Sequence, residues 1–279
     1  MRIASKTTLT CPGRIGSAAA FAFLLLAGCA SLAPLPPDRI AAIVASPDRS
    51  AADRTNDIRR KPAEMLTFIG VRPGMVALDV SAGRGYTTEL IARAVGPTGK
   101  VYGQIPPRDA GRTPPAQPEG AAAPPLAAAA TMAPPPALAD RARNPATSHI
   151  VPVVRRFEEP VPAEVANAGL DLATLMFNYH DLGHAGVDRA RMNHAIFNAL
   201  KRGGIYVIAD HAGRGGTGIS ESGTLHRVEE AFVVTEVEAA GFRLAARADF
   251  MRNPADPRDR NTPVPPMPKD EFVLKFVKP

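Results

Sequence analysis

Strand and helix patterns alternate along the chain from Asp57 onward. Short, mostly apolar runs of three to six residues predict strands, and the continuous run at 172–177 predicts one that is covered on both faces; apolar residues three or four positions apart predict helices. The predicted strands are 75–80, 101–103, 150–154, 172–177, 205–209, 242–246 and 272–277, and the predicted helices are 57–70, 87–95, 190–200 and 229–240. The alternation predicts an α/β fold, a doubly wound, mostly parallel seven-stranded sheet with helices on both faces.

Three proline-rich stretches interrupt this pattern. Residues 105–136 are almost entirely Pro, Ala and Gly, and such a segment buries too little side-chain surface to fold by itself. It therefore predicts a disordered insertion. Residues 32–37 are interpreted as a tether, and residues 253–268 as an irregular loop before the last strand. The glycines of Lys-Arg-Gly-Gly at 201–204, which has no proline, indicate a turn before the fifth strand.

The first 28 residues have the pattern of a bacterial signal peptide. Three basic residues precede an apolar run at 18–26, which is too short to span a bilayer. The sequence Leu-Ala-Gly-Cys at 26–29 resembles a lipobox, the site where a lipoprotein is lipidated on cysteine and cleaved before it. The resemblance implies a lipid anchor on Cys29, on the periplasmic side of the cell envelope, with the outer membrane as one candidate. The alternative is an ordinary signal peptide with an incidental cysteine.

These boundaries divide the chain into a signal peptide at 1–28, a tether and N-terminal helix at 29–55, and one domain at 56–279. Apolar residues make up 45% of the chain, which is enough for a sizeable core. Half of the net charge of +6 comes from the signal peptide, and the remaining basic residues are mixed with acidic ones. No nucleic-acid partner is therefore expected, in keeping with the absence of Trp. Removal of the signal peptide would leave one cysteine and no disulfide.

A glycine-rich turn follows the first predicted strand. Asp79 is followed by Ser81, Gly83 and Gly85 at alternating positions, directly before a predicted helix. Glycines let the backbone approach a ligand closely, and a helix N-terminus offers free N–H groups. Ligands of doubly wound sheets bind at the carboxyl ends of the strands. The turn is thus a candidate binding site, although many α/β proteins use such a turn for structure alone.

The turn resembles motif I of class I S-adenosylmethionine-dependent methyltransferases, with Ser81 in place of the first glycine. The likeness covers residues 57–279 apart from the insertion. Residues 178–181, 225–227 and 275–279 are similar to a bacterial group of predicted methyltransferases that often carry secretion signals. The resemblance implies a Rossmann-like fold, the cofactor S-adenosylmethionine, and a small-molecule or unknown methyl acceptor.

The resemblance also implies which residues bind the cofactor. Asp79 would receive the ammonium group, and the turn at 81–85 would hold the methionine part. Gln104 stands where the family usually has an acidic residue for the ribose hydroxyls. Glu158 would lie near the adenine, or would be a solvated charge, and Asn178 would lie near the reacting methyl group. The full set of expected cofactor residues is Asp79, Ser81, Gly83, Gly85, Gln104, Glu158 and Asn178.

Methyl transfer needs an aligned nucleophile and, for some acceptors, a base that removes its proton. His180 and His211 follow the fourth and fifth strands and titrate near neutral pH, so they are candidate bases, with Tyr179 beside the first. Each of them is also compatible with a structural role. His180 and His184 are spaced as metal ligands on a helix, but Gly183 weakens a helix there and His211 is the only evident third ligand. No metal site is therefore predicted.

Two functions remain open at this point. The first is an S-adenosylmethionine-dependent methyltransferase tethered in the envelope, and the alternative is a catalytically inactive ligand-binding or interaction lipoprotein on the same scaffold. The signal and the cofactor conflict, because S-adenosylmethionine is made in the cytoplasm. An incorrectly assigned start would remove the conflict, but it would leave the lipobox unexplained.

Overall fold

The computed structural model describes residues 1, 33–107, 135–263 and 266–279. The signal peptide after Met1, Cys29 and nearly all of the predicted insertion lie outside these described residues, so their predictions stay untested. Among the described residues, no helix is long and apolar enough to cross a membrane.

The strands form one seven-stranded sheet in the order β3-β2-β1-β4-β5-β7-β6. The strands are β1 (Val76–Val80), β2 (Lys100–Ile105), β3 (Ile150–Val154), β4 (Leu170–Met176), β5 (Leu200–His211), β6 (Arg243–Ala248) and β7 (Glu271–Val277). The first five are parallel, and β7 runs antiparallel to both β5 and β6. The sheet confirms the predicted fold class.

Helices cover both faces of the sheet. They are α1 (Pro37–Val44), α2 (Ala51–Arg60), α3 (Pro62–Ile69), α4 (Tyr86–Val95), α5 (Leu138–Arg143), α6 (Asp181–His184), α7 (Arg189–Ala199), α8 (Ser222–Leu225) and α9 (Glu230–Ala239). One buried apolar cluster joins α1, α3 and α4 to the sheet, and a second joins α7 and α9 to it. Consecutive residues of β1 alternate between the clusters: Ala77 belongs to the first, Leu78 to the second.

Two predicted elements differ from the observed ones. The helix predicted at 57–70 is divided into α2 and α3, because Lys61 has a left-handed φ of 44° and Pro62 starts a new helix. The turn predicted at 201–204 lies inside β5. Leu200 and Ile205 pair with Leu170 and Leu172 of β4, so 201–204 bulge opposite one residue.

The N-terminal helices are fastened to the rest of the domain by specific contacts. The end of the predicted tether packs on the domain, because Leu35 N–H donates to the carbonyl oxygen of Val71 at 3.1 Å and its side chain lies against the core. Tyr86, the first residue of α4, donates to Asp57 Oδ1 on α2 at 2.7 Å. Arg59 of α2 pairs with Glu271 of β7 at 2.5 Å. The bonds of Asp57 and Arg59 hold α2 beside the carboxyl edge of the sheet.

Candidate functional site

The carboxyl ends of β1, β2 and β4 meet at the centre of the sheet. The backbone N–H of Ser81 donates to Gln104 Oε1 at 2.8 Å, and the hydroxyl of Ser81 donates to Asn178 Oδ1 at 2.7 Å. Three residues that the resemblance assigns to the cofactor are thus in direct contact. This edge is the candidate site.

The glycine-rich turn adopts left-handed backbone angles at alternating residues. The φ values are 57° at Ser81, 54° at Gly83 and 86° at Gly85. Serine accepts this conformation at a cost of about 1–2 kcal/mol. A Cβ at Gly83 would face open space, since the nearest described atom is 4.0 Å away. At Gly85 a Cβ would lie 2.8 Å from Leu138 and 2.9 Å from Arg141. Gly83 therefore faces open space, whereas Gly85 leaves room for α5.

Asp79 is buried below the turn. Its carboxylate accepts hydrogen bonds from the hydroxyls of Thr88, at 2.6 Å, and Thr174, at 2.7 Å. Burial raises the pKa of Asp79 to about 6, and the two hydroxyls oppose this shift. The side chain links β1 to α4 and β4, and these bonds fix the position of the turn.

Gln104 is fully buried, and both ends of its amide are used within the protein. Its oxygen accepts from Ser81, and its nitrogen donates to the carbonyl oxygen of Arg155 at 2.7 Å. The side chain thus ties together the ends of β1, β2 and β3, instead of pointing towards a ribose. Glu158 follows β3, half-buried, and its carboxylate lies 3.4 Å from Arg156.

Tyr179 and His180 follow β4 but have different surroundings. The hydroxyl of Tyr179 donates to Glu236 at 2.8 Å and accepts from Asn193 at 3.0 Å, in the core between the sheet, α7 and α9. Burial raises the pKa of Tyr179. These contacts give Tyr179 a packing role. His180 instead donates from Nδ1 to Asp210 Oδ1 at 2.6 Å.

The two candidate bases are shifted in opposite directions. Burial lowers the pKa of His180, but the negative charges of Asp210 and Asp181 outweigh it and raise the value to about 9. Burial lowers the pKa of His211 well below its usual value, and the positive charge of His180, whose ring lies 5.3 Å away, lowers it further. At neutral pH, His211 is therefore neutral and His180 is protonated.

An arginine of α2 also reaches the site, although the sequence did not indicate it. The guanidinium of Arg60 lies 3.9 Å from the centre of the Phe177 ring, within cation–π range. Burial lowers the pKa of Arg60 to about 9, so the group remains charged at neutral pH. Arg60 and Phe177 line a cavity together with Tyr86 and Met176, next to the glycine-rich turn. The sequence Arg-Arg-Lys-Pro at 59–62 gives no indication that Arg60 lies at the site.

A cluster of histidines lies beside Asp181, which Asn178 contacts through its amide nitrogen. Four of the six histidines of the chain lie here, with the rings of His180 and His226 5.7 Å apart and those of His184 and His226 at the same separation. Asp181 lies among them. His226 is distant in sequence from the others, and no local spacing could have connected it to them.

Solved structures with the same fold share little sequence identity with this chain. A SAM-dependent methyltransferase from Aquifex aeolicus is 15% identical, with a TM-score of 0.52, over 88% of this chain and 100% of that chain. An arsenic(III) S-adenosylmethionine methyltransferase from Chlamydomonas reinhardtii is 18% identical, with a TM-score of 0.50, over 88% of this chain and 74% of that chain. The [4+2]-cyclase SpnF is 18% identical, with a TM-score of 0.51, over 82% of both chains.

No protein-family model matches the sequence, and no curated protein sequence matches it. The structural likeness therefore concerns the course of the backbone. A cyclase is among the similar structures, so the shared fold does not define the reaction. The chain has the Rossmann-like fold of the class I S-adenosylmethionine-dependent methyltransferases.

Proposed function

We propose that the chain is an S-adenosylmethionine-dependent methyltransferase acting on a small-molecule or otherwise unidentified acceptor. The observation that carries the proposal is the turn at 81–85. It lies at the carboxyl edge where doubly wound sheets bind ligands, with Gly83 exposed and Asn178 in contact with it. The similar structures from Aquifex aeolicus and Chlamydomonas reinhardtii, described as methyltransferases, support the same cofactor.

The residues of this edge fit several parts of the proposed cofactor. The turn at Ser81 and Gly83 would hold the methionine part, and the charged guanidinium of Arg60 suits its carboxylate. Asp79 lies below the turn, where its charge would favour the ammonium group without direct contact. The bound cofactor would supply an electrophilic methyl group on a sulfonium centre.

The chain's own residues then have to orient the acceptor and remove its proton. Asn178 has its amide fixed by Ser81 and Asp181, and unlike the fully buried Gln104 it is partly exposed, so its second N–H and its second oxygen lone pair can still bond a ligand. His211 is buried and neutral, and its ring lies 5.3 Å from that of His180. Because it can accept a proton at neutral pH, it is the better candidate base of the two. Helix α2 would limit access of water to the cavity that Arg60 lines.

Ligand binding tests the proposal. Calorimetry on the purified chain should show binding of S-adenosylmethionine or of its demethylated product. Gly83→Ala should weaken that binding at least about tenfold, or 1.4 kcal/mol, because its Cβ projects into the space left for the ligand. Gly203→Ala is the matched control, since Gly203 also has a positive φ of 73° with no described atom within 4 Å of a Cβ, at the opposite edge of the sheet.

A second function is favoured by one observation. The amide of Gln104 is used up within the protein, so a contact with the ribose is missing at that position. The alternative is an inactive ligand-binding or interaction protein on the same scaffold. Binding without methyl transfer to any acceptor in a cell extract would favour this alternative. No heat with either ligand at millimolar concentration would contradict the binding proposal as a whole.

We also propose that the domain is tethered in the cell envelope by a lipid on Cys29. The support is the apolar run and the lipobox-like sequence at 26–29. Cells grown with a fatty-acid probe should label the wild-type chain and Cys11→Ser equally, and Cys29→Ser should lose the label. Cys11 is the control because it lies within the predicted signal peptide. Equal labelling of all three chains would contradict the lipoprotein assignment.

A further inference from the structure

Two imidazoles and one carboxylate converge beside Asn178. The side-chain oxygen Oδ1 of Asp181 lies 3.1 Å from His180 Nε2 and 3.0 Å from His226 Nδ1. One ligand atom from each of the three residues lies within 4.8 Å of the other two. In a tetrahedral zinc site with bonds of about 2.0–2.1 Å, neighbouring ligand atoms are about 3.3 Å apart. The two spacings from Asp181 Oδ1 are close to that value.

The surroundings hold these groups in the orientation that a metal ion requires. Asp210 accepts from Nδ1 of His180 at 2.6 Å, so Nε2 faces Asp181, and a metal ion bound there would displace the Nε2 proton to solvent. Such a carboxylate behind a histidine fixes the ring and increases its basicity in metal sites. The second oxygen of Asp181 accepts from Asn178 Nδ2 at 2.9 Å, so Oδ1 is left for the cluster. His180 and Asp181 are thus each held in place by a hydrogen bond from the side away from the cluster.

The cluster is open enough to exchange an ion with solvent. The side chain of His180 is 4% exposed, and those of Asp181 and His226 are each 32% exposed. One ligand therefore comes from the buried side, and two come from the rim. Three protein ligands and an accessible face are the arrangement of catalytic zinc sites, in which a water or a substrate atom completes the coordination.

We propose that His180 Nε2, Asp181 Oδ1 and His226 Nδ1 bind a divalent transition-metal ion of the Zn²⁺ type. This ligand set differs from the spacing considered in sequence. The Nδ1 atom of His184 lies 2.9 Å from Ser222 Oγ and 4.0 Å from Asp181 Oδ1. His211 belongs to a different pair, with its Nδ1 3.0 Å from Glu271. His226 supplies the third ligand instead, from a left-handed residue that follows α8.

Imidazole and carboxylate ligands select the class of metal. Two nitrogens and one oxygen suit Zn²⁺ and related first-row ions, whereas Ca²⁺ and Mg²⁺ prefer oxygen ligands. The proposed ion would lie beside Asn178, which contacts the glycine-rich turn. A group bound at its open position would therefore be next to the candidate site. The metal site does not depend on the proposed methyltransferase activity, and it can exist in an inactive scaffold.

Metal titration of the full-length chain in mild detergent tests the proposal. Both cysteines are replaced beforehand (Cys11→Ser, Cys29→Ser), so that no thiolate can bind zinc. After dialysis against a chelator, calorimetry with Zn²⁺ should show one equivalent bound. Co²⁺ should give the visible absorption bands of a four- or five-coordinate ion. His226→Asn should reduce the affinity at least about 100-fold, because it removes one imidazole ligand. Asparagine is chosen because it tolerates the left-handed backbone at this position.

Control variants separate a metal site from general effects of mutation. His194→Asn is the matched control, since His194 is exposed on α7 and bonds the backbone of Ala190. It should bind Zn²⁺ like the parent chain. Asp210→Asn, which removes the group behind His180, should weaken binding about 10–100-fold. Thermal unfolding of each variant without metal confirms that it is folded.

The proposal is overturned if the parent chain binds less than one tenth of an equivalent of Zn²⁺ and Co²⁺ at micromolar concentration. It is also overturned if folded His226→Asn binds as tightly as His194→Asn. In either case the cluster is a hydrogen-bonded network that centres on Asp181. Failure of S-adenosylmethionine binding with intact zinc binding would refute the proposed function alone.

Discussion

Replacing Arg141 by methionine should lower the free energy of unfolding by about 3–5 kcal/mol. Arg141 of α5 donates to both carboxylate oxygens of Asp53 on α2, at 2.8 and 3.0 Å, and it also bonds Glu89 of α4. All three side chains are buried. Methionine keeps much of the packing of the arginine stem. It would remove the guanidinium and leave two carboxylates buried beside each other.

The same variant should also loosen the candidate site. Arg141 Nε donates to the carbonyl oxygen of Arg84 at 2.7 Å, inside the glycine-rich turn. Hydrogen exchange of the turn should therefore increase more than exchange of β5, which is distant from Arg141. Arg143→Met on the same helix is the control, because its side chain is 73% exposed and pairs with Asp140 at the surface. Its effect should stay below about 0.5 kcal/mol.

Chemical denaturation of the wild type and both variants measures these differences. Equal stability of Arg141→Met and Arg143→Met would show that the buried ion pairs do not hold α2, α4 and α5 together. The position of α2 would then depend on its other contacts, such as the hydrogen bond between Tyr86 and Asp57.

The sequence predicted the sheet well because each strand has a local signature. β1, β4 and β7 are apolar along most of their length, and strands covered on both faces need this pattern wherever their neighbours come from. The position of the turn after β1 followed from Gly83 and Gly85 in the same way. Errors arose where the backbone changes without a change of apolar pattern, as at Lys61 and in the bulge at 201–204.

The site was predicted in outline but not in its contacts. A strand-end position places a residue at the carboxyl edge, and this brought Ser81, Gln104 and Asn178 together as expected. It does not say which way a side chain turns, because that depends on partners distant in sequence. His226 contacts Asp181 across 45 positions of sequence, and Arg60 of α2 lies over the ring of Phe177, which follows β4. Tyr179 faces the core because Glu236 and Asn193 bind its hydroxyl there.

Gln104 gives the sharpest contrast between family resemblance and observed contacts. The family usually has a carboxylate at this place, and a ribose-binding role would make Gln104→Glu a gain for the cofactor. In the structure the amide nitrogen donates to Arg155 O at 2.7 Å, and a carboxylate cannot donate. The two interpretations therefore predict opposite effects of one substitution.

At pH 8, Gln104→Glu should lower the free energy of unfolding by about 3 kcal/mol or more, because it buries a charge against a carbonyl oxygen. The penalty should depend on pH with a definite sign. Burial and the neighbouring carbonyl raise the pKa of the introduced carboxyl above its ordinary value of about 4.3. Below that value both states are protonated, and the neutral acid has one acceptor and one donor, as glutamine does. The variant's stability relative to wild type should therefore be greatest near pH 4 and fall as pH rises through the folded-state pKa.

Urea denaturation at pH 4.5 and pH 8 measures the difference, with Gln104→Met as the control. Methionine has no donor for Arg155 O, only a weak acceptor for Ser81 N–H and no titrating group, so its cost should not depend on the protonation of this position. If Gln104→Glu is as stable as wild type at pH 8 and binds S-adenosylmethionine more tightly, the side chain faces the ribose and its bonds to Ser81 and Arg155 are dispensable. If the penalty appears only at pH 8, Gln104 acts by joining three strand ends, and the turn at 81–85 owes its shape to that link.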